Sequence, residues 1–349
     1  MNGVPRVDIA PGYSVPRIIN GAWQQSVGHA AEPIDREDAL AAFDALLARG
    51  FTAFDCADIY TGVEELLGEL LRRLPASRRQ TAQIHTKLVP DRDALATLDR
   101  DYVERIVDRS LRRLGVERLD LVQFHWWDYD VPGYVEAAGW LVELQAAGKI
   151  GLLGGTNFDT QRFDELRAAG IPLVTNQVQY SLLDARPESS MVACCANHDA
   201  WLLGYGALAG GFLSDAWMCV SGPPARPANR SLVKYGLVIE EFGGWELYQD
   251  LLVVLATVAR KHGATIARVA LRWLLEQPRV AAAIVGVGRR DRVEDKLAAL
   301  SFSLDAGDRA QIDAVLQRRA GPRGEVFGLE RTPGGEHAAI MRYDLNRED

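Results

Sequence analysis

Short apolar runs alternate with longer, helix-spaced segments along most of this chain. Gly50-Phe51-Thr52-Ala53-Phe54 is too short for a helix and reads as a buried strand. Glu64-Glu65-Leu66-Leu67-Gly68-Glu69-Leu70-Leu71 follows, with apolar positions at helical spacing. Ala82–Lys87 and Leu119–His125 are strand-like again, and between them residues 101–114 form an amphipathic helical pattern closed by Gly115. Upstream, Arg17–Trp23 reads as the first strand, and the Ala/Leu-rich segment 36–49 as the first helix. Downstream, strands are expected at Ile150–Gly154, Leu173–Gln177, Trp201–Gly206 and Val280–Val285, with a helix over 134–147 ending at Gly148. Eight strands alternating with helices predict a parallel sheet with crossover helices. Eight such units close into an α/β (β/α)8 TIM barrel.

Three segments fall outside that repeat. Residues 6–14 read as an N-terminal hairpin around Pro11-Gly12. About 35–40 residues separate the seventh strand from the helix near Trp245–His262, against about 2–6 for an ordinary barrel loop. This 207–245 loop holds Gly210-Gly211, Pro223-Pro224 and Pro227, so it reads as a lid on the rim rather than a hidden barrel unit. Residues 318–349 form a tail rich in glycine and charge. Residues 1–349 together read as a single barrel domain.

Composition narrows the partners. The 349 residues carry 39 Lys+Arg against 47 Asp+Glu, a net charge of −8. That balance argues against nucleic-acid and anionic-membrane partners. None of Cys56, Cys194, Cys195 and Cys219 forms a CxxC, so neither a metal nor a disulfide framework is expected, and the chain reads as a reduced, cytoplasmic protein. Residues 1–16 lack a basic-then-apolar signal pattern, and no apolar run reaches membrane-spanning length.

The strand ends carry chemistry-bearing residues. Asp55 closes the second strand, Tyr60 lies in the loop after it, Lys87 closes the third strand and His125 the fourth. In a barrel these residues meet on the C-terminal rim, where chemistry is done. Asp, Tyr, Lys and His in this order resemble the catalytic tetrad of the aldo-keto reductase superfamily. The similarity continues through Gly148-Lys149-Ile150, Gly155-Thr156-Asn157-Phe158, Asn176-Gln177-Val178-Gln179-Tyr180-Ser181-Leu182-Leu183 and Gly286-Val287-Gly288, and it covers residues 15–317.

The resemblance implies an NADPH-dependent oxidoreductase that reduces an aldehyde or ketone by hydride transfer. An unperturbed phenol has a pKa near 10, so Tyr60 needs a cation beside it to favour the phenolate. Lys87 supplies that cation and Asp55 fixes it. Tyr60 is then the general acid in reduction and the base in oxidation, and His125 hydrogen-bonds the carbonyl oxygen. By the same resemblance Thr156, Asn157 and Gln177 bind the nicotinamide carboxamide, Tyr205 stacks on its ring, and Gly206, Leu208 and Gly210 bring backbone amides to the pyrophosphate. Gly286 and Gly288 lead into a helix start carrying Arg289, Arg290 and Arg292, with Lys296 in its first turns. Arginine forks at a helix N-terminus suit a 2′-phosphate, which favours NADPH, with NADH as the other candidate. Gly288, Lys296, Val63 and Cys56 depart from the residues common in the family. Trp23, Trp126, Trp127 and Tyr129 are expected to wall the substrate pocket.

No GxGxxG follows an early strand, no Tyr precedes a Lys by four residues, and the six histidines form no HxH or HExxH. The competing functions are therefore close ones: an NAD(P)+-dependent sugar or alcohol dehydrogenase, or a nicotinamide-binding regulatory subunit of the same superfamily.

Overall fold

A computed structural model of the chain describes residues 3–27, 29, 35–287 and 293–346. An antiparallel hairpin, β1 (Arg6–Ala10) and β2 (Tyr13–Pro16), precedes eight parallel strands. These are β3 (Ile18–Gly21), β4 (Ala53–Asp55), β5 (Gln83–Leu88), β6 (Leu119–Phe124), β7 (Ile150–Thr156), β8 (Leu173–Gln179), β9 (Trp201–Tyr205) and β10 (Val280–Gly286). Each pairs with its neighbour in sequence, and β10 returns to pair with β3, so the sheet closes into a TIM barrel ringed by helices. Among the described residues no helix is long and apolar enough to cross a membrane.

Local chemistry sets the element boundaries. The helix Arg100–Leu114 starts where the Asp99 side chain accepts from Tyr102 N at 2.8 Å, and it stops at Gly115, which takes the left-handed φ of 68°. The helix Val63–Arg73 packs on it so closely that a Cβ at Gly68 would lie 2.3 Å from the Arg113 carbonyl oxygen. Only glycine permits that backbone approach.

The barrel interior is apolar at the bottom and polar at the top. Ile19, Ala53, Leu121, Leu203, Ala281 and Ala282 pack with Ile9 and Val15 of the hairpin, which plugs the N-terminal end. Burying each of the larger of these side chains contributes roughly 1.5–3 kcal/mol. Side chains alternate along a strand, so the residues two positions on face the same interior. Ala53 is thus followed inward by Asp55, His85 by Lys87 and Leu121 by Gln123. The two-residue strand period thus carries a hydrophobic floor up to a charged roof.

Two segments differ from their sequence pattern. The loop after β9 contains a full helix, Arg230–Phe242, directly before the expected one at Gly244–Lys261. Its prolines end before Asn229, whose side chain caps the new helix by accepting from Leu232 N at 3.0 Å. The tail does not trail away. It folds back over the rim with two short helices, Gly328–Arg331 and Glu336–Ala339.

Candidate active site

Asp55, Lys87 and His125 reach the rim from three adjacent strand ends and meet Tyr60 from the loop after β4. The Lys87 ammonium donates to Asp55 Oδ2 and to the Cys56 carbonyl oxygen, both at 2.8 Å. It also lies 5.0 Å from the centre of the Tyr60 ring. The second Asp55 oxygen accepts from Gln123 Nε2 at 3.0 Å and from Gln177 Nε2 at 2.6 Å. Both carboxylate oxygens are therefore satisfied, and a buried ion pair with this many hydrogen bonds is held in one geometry.

The charges shift accordingly. Burial would strip the Lys87 proton, but Asp55 and Tyr60 outweigh it and hold the ammonium above its ordinary pKa. For Tyr60 burial is the largest influence and raises the pKa, and Lys87 pulls it down only in part. The phenol thus stays protonated at neutral pH, with burial outweighing the Lys87 charge that the sequence alone brings to notice.

His125 is buried, and its ring lies edge-on to Trp127 at 4.3 Å and to Phe327 at 5.6 Å. Its Nδ1 contacts the Thr156 carbonyl oxygen at 2.9 Å. A carbonyl oxygen only accepts, so Nδ1 carries the ring proton. Nε2 has no hydrogen-bond partner. Burial, and then the Arg331 charge, push the ring down to a pKa of about 3. A neutral ring protonated at Nδ1 presents a lone pair at Nε2.

The expected cofactor residues are dispersed around this centre. Gln177 is tied to Asp55, and the Thr156 hydroxyl donates to the Gln177 carbonyl at 3.3 Å. Asn157 sits at a left-handed φ of 61°, and its Oδ1 accepts from the Tyr205 hydroxyl at 2.9 Å. The Lys234 ammonium, from the helix Arg230–Phe242, stands 5.2 Å over the Tyr205 ring. Cβ atoms at Gly206 and Gly210 would lie 2.3 and 2.8 Å from Tyr235, so that helix uses the close approach these glycines allow. Leu208 is half-buried beside them. At Gly286 a Cβ would meet the Gln24 side chain at 2.6 Å. Lys296 is buried and donates to Asn20 Oδ1 at 3.0 Å. Gly288, Arg289, Arg290 and Arg292 lie outside the described residues.

The expected pocket aromatics divide. Trp23 packs on Tyr60 at 4.8 Å and Trp127 on His125, so both border the tetrad. Trp126 is fully buried, and its indole N–H donates to the Asp128 and Val131 carbonyls. Tyr129 stacks against Phe158 rather than against the tetrad. Consecutive residues after a strand end point to opposite faces, so a run of aromatics cannot all line one pocket.

Several residues at the site gave no signal in the sequence. The Arg331 guanidinium donates to the carbonyls of Trp126 (2.7 Å), Asn157 (2.9 Å) and Trp127 (3.2 Å), which stitches the tail to the ends of β6 and β7. Phe327, at a left-handed φ of 59°, is thereby set against His125. The neighbouring Glu330 is buried between Arg186 Nη1 (3.1 Å) and Lys234 Nζ (3.4 Å). Arg186 also pairs with Asp184 at 2.7 Å, giving a compensated cluster of two acids and two bases under the tail.

A profile of the Aldo/keto reductase family matches residues 17–317. The chain belongs to this family. L-glyceraldehyde 3-phosphate reductase of Escherichia coli strain K12 is 28% identical over 317 residues, covering 86% of this chain and 89% of that relative. NADH-specific methylglyoxal reductase of the same organism is 26% identical over 278 residues, covering 74% of this chain and 81% of the relative. Among solved structures, a glycerol dehydrogenase of Gluconobacter oxydans superposes with a TM-score of 0.77 at 26% identity, over 91% of this chain and 97% of that one. This aldo/keto reductase is accordingly an oxidoreductase that works with a nicotinamide cofactor on small carbonyl or alcohol compounds.

Proposed function

We propose that this aldo/keto reductase reduces an aldehyde or ketone to an alcohol with NADPH, and that Tyr60 delivers the proton. The observation that carries this reading is the Lys87 ammonium, which donates to Asp55 at 2.8 Å and stands 5.0 Å from the centre of the Tyr60 ring. A nicotinamide suits this end of the barrel: His125 leaves a buried nitrogen without a partner, and Tyr205 supplies an aromatic ring at the end of β9. Thr156, Asn157 and Gln177 would hold its carboxamide, and Gly286, Gly288, Arg292 and Lys296 its adenosine end. When bound, the cofactor supplies the hydride.

The chain's own groups handle the proton. Tyr60 donates its hydroxyl hydrogen to the carbonyl oxygen as that oxygen becomes an alkoxide. Lys87 stabilises the phenolate left behind, and Asp55 keeps the ammonium charged and in place. Trp23 and Trp127 exclude water from the reacting oxygen. The same groups in reverse serve an alcohol oxidation, a second reading favoured by the fold shared with a glycerol dehydrogenase.

NADPH over NADH rests on Arg289, Arg290 and Arg292 beside a helix start. A reducing cytoplasmic setting is supported by four free cysteines. The test is steady-state oxidation of NADPH and NADH against a panel of aldehydes and ketones, with cofactor binding followed by tryptophan fluorescence. Arg292→Ala should weaken NADPH at least about 10-fold and leave NADH unchanged, the loss of one charge-assisted fork. Equal weakening of both cofactors contradicts the NADPH preference, and absence of turnover with every carbonyl contradicts the catalytic reading.

A further inference from the structure

Away from the rim, one set of side chains brings three different metal-binding atoms together. Asp164 lies on the helix Thr160–Ala168, Cys194 on the helix Met191–Asn197, and His198 closes that second helix. The Asp164 carboxylate, the Cys194 thiol and the His198 ring each present one donor atom, and these atoms all lie within 4.8 Å of one another. Among the described residues no other group of three such side chains does so. The two helices follow β7 and β8, so the set stands on the outer wall of the barrel. His198 comes just before β9, at the end opposite the tetrad. That end of a barrel carries stability rather than chemistry.

The surrounding contacts hold the donors in place. His198 N donates to the Cys194 carbonyl oxygen at 3.2 Å, which sets the two side chains one turn apart on the same face. The Arg167 guanidinium donates to the His198 carbonyl oxygen at 3.3 Å and ties that turn to the first helix. Phe163 packs edge-on against the ring at 6.4 Å. His198 Nε2 already meets Asp164 Oδ1 at 2.6 Å. Cys194 is buried, and its thiol makes a weak contact at 3.9 Å to the Thr160 carbonyl oxygen. Asp164 is exposed, so the set is open to solvent on one side. Asp164 and His198 are 34 residues apart, so no local motif announces the set in the sequence.

One sulfur, one imidazole nitrogen and one carboxylate oxygen suit zinc and not magnesium or calcium, which take oxygen ligands. Zinc binds these atoms at about 2.0–2.3 Å, which places them roughly 3.3–3.7 Å apart in a tetrahedron. The exposed Asp164 side chain is free to make the small adjustment this needs. We propose that Asp164, Cys194 and His198 bind one Zn2+ ion, with a solvent molecule as the fourth ligand, and that the ion pins the helices Thr160–Ala168 and Met191–Asn197 to each other. Coordination converts the Cys194 thiol to a thiolate, and its proton passes to solvent. Thiolate and carboxylate then balance the two charges of the ion.

The test is titration of the untagged, reduced full chain with zinc against a chromogenic chelator, with cobalt absorption as a second readout. The expected result is one Zn2+ per chain with a Kd tighter than about 10 μM. A thiolate-to-cobalt charge-transfer band should appear, and zinc should raise the melting temperature by at least about 2 °C. Asp164→Asn, Cys194→Ser and His198→Gln should each weaken zinc at least about 100-fold. Cys219→Ser, at an exposed cysteine elsewhere, should not. Because Asp164 is exposed, its substitution tests the site whatever the other two do to folding. Binding weaker than about 10 μM means an adventitious ion only and overturns the inference. Tight binding that persists in folded Asp164→Asn overturns it as well. Neither readout depends on turnover, so failure here leaves the reductase reading standing.

Discussion

Replacing Lys87 with methionine isolates the step on which catalysis turns. The substitution keeps the length and apolar volume of the side chain and removes one charge. The ammonium stands 5.0 Å from the centre of the Tyr60 ring. Two unit charges at that separation, in an effective dielectric of about 20, attract by about 3 kcal/mol. That attraction develops only as Tyr60 gives up its proton, so it belongs to the transition state and not to the bound substrate. Its loss should lower kcat for carbonyl reduction about 200-fold while KM for substrate changes little. Removing one partner of a buried pair also destabilises, by up to about 3–5 kcal/mol. Here the cost is moderated because Asp55 Oδ1 keeps both glutamine donors. The assay is stopped-flow oxidation of bound NADPH, at a temperature where circular dichroism shows the variant folded. Lys87→Arg, which keeps a charge with different geometry, should fall between the two. A folded Lys87→Met enzyme within about 5-fold of wild type would refute the assignment of Lys87 as the group that stabilises the phenolate.

Glu330→Gln should release the tail: burial favours the neutral acid, but Lys234 and Arg186 overcome it and hold the carboxyl at about 2, against an ordinary 4.5. The ion pairs therefore stabilise the docked tail above pH ~4.5 and lose that effect as pH falls toward 2. Limited proteolysis should cleave wild type within residues 318–346 only at the acidic end of that window, and the variant across all of it. Asp58 is opposite in sign. Burial and the nearby Glu64 raise it to about 7, and the Val89 N–H at 3.1 Å offsets this only in part. Its contribution is complete below about 4 and is lost as pH rises through 7, so Asp58→Asn should raise the melting temperature at pH 8 and leave it unchanged at pH 4. Gly68→Ala should destabilise by about 1–3 kcal/mol in urea unfolding, because the new methyl meets the Arg113 carbonyl oxygen at 2.3 Å, and that backbone has nowhere to go. An unchanged midpoint would mean the two helices can part without cost.

The barrel, and the gathering of Asp55, Lys87 and His125 at neighbouring strand ends, were legible because both depend on local signals. Apolar runs too short for helices mark strands, and Asp55, Lys87 and His125 each end one. What escaped detection depends on contacts far apart in sequence. Gln123 sits two residues before His125 on the same strand face, and period-two reasoning applied to β6 places it under Asp55. The helix Arg230–Phe242 carried its own signal, an Asn229 cap and buried Tyr235, Val238, Ile239 and Phe242 at helical spacing, but the prolines just before it dominated the segment. The roles of Phe327, Glu330 and Arg331 had no local signature at all. Their partners are the carbonyls after β6 and β7 and the buried cations Arg186 and Lys234, and a glycine-rich, charged tail does not announce where it will dock.

The most direct measurement is the rate of carbonyl reduction by Tyr60→Phe with NADPH saturating. Removing one hydroxyl takes away the only proton donor assigned to the reacting oxygen and leaves the ring against Trp23. The expected outcome is a loss of at least about 1,000-fold in kcat, within the range for a lost general acid, with NADPH affinity kept. A folded variant that binds NADPH and turns over at a rate near that of the wild type would show that the proton comes from somewhere else.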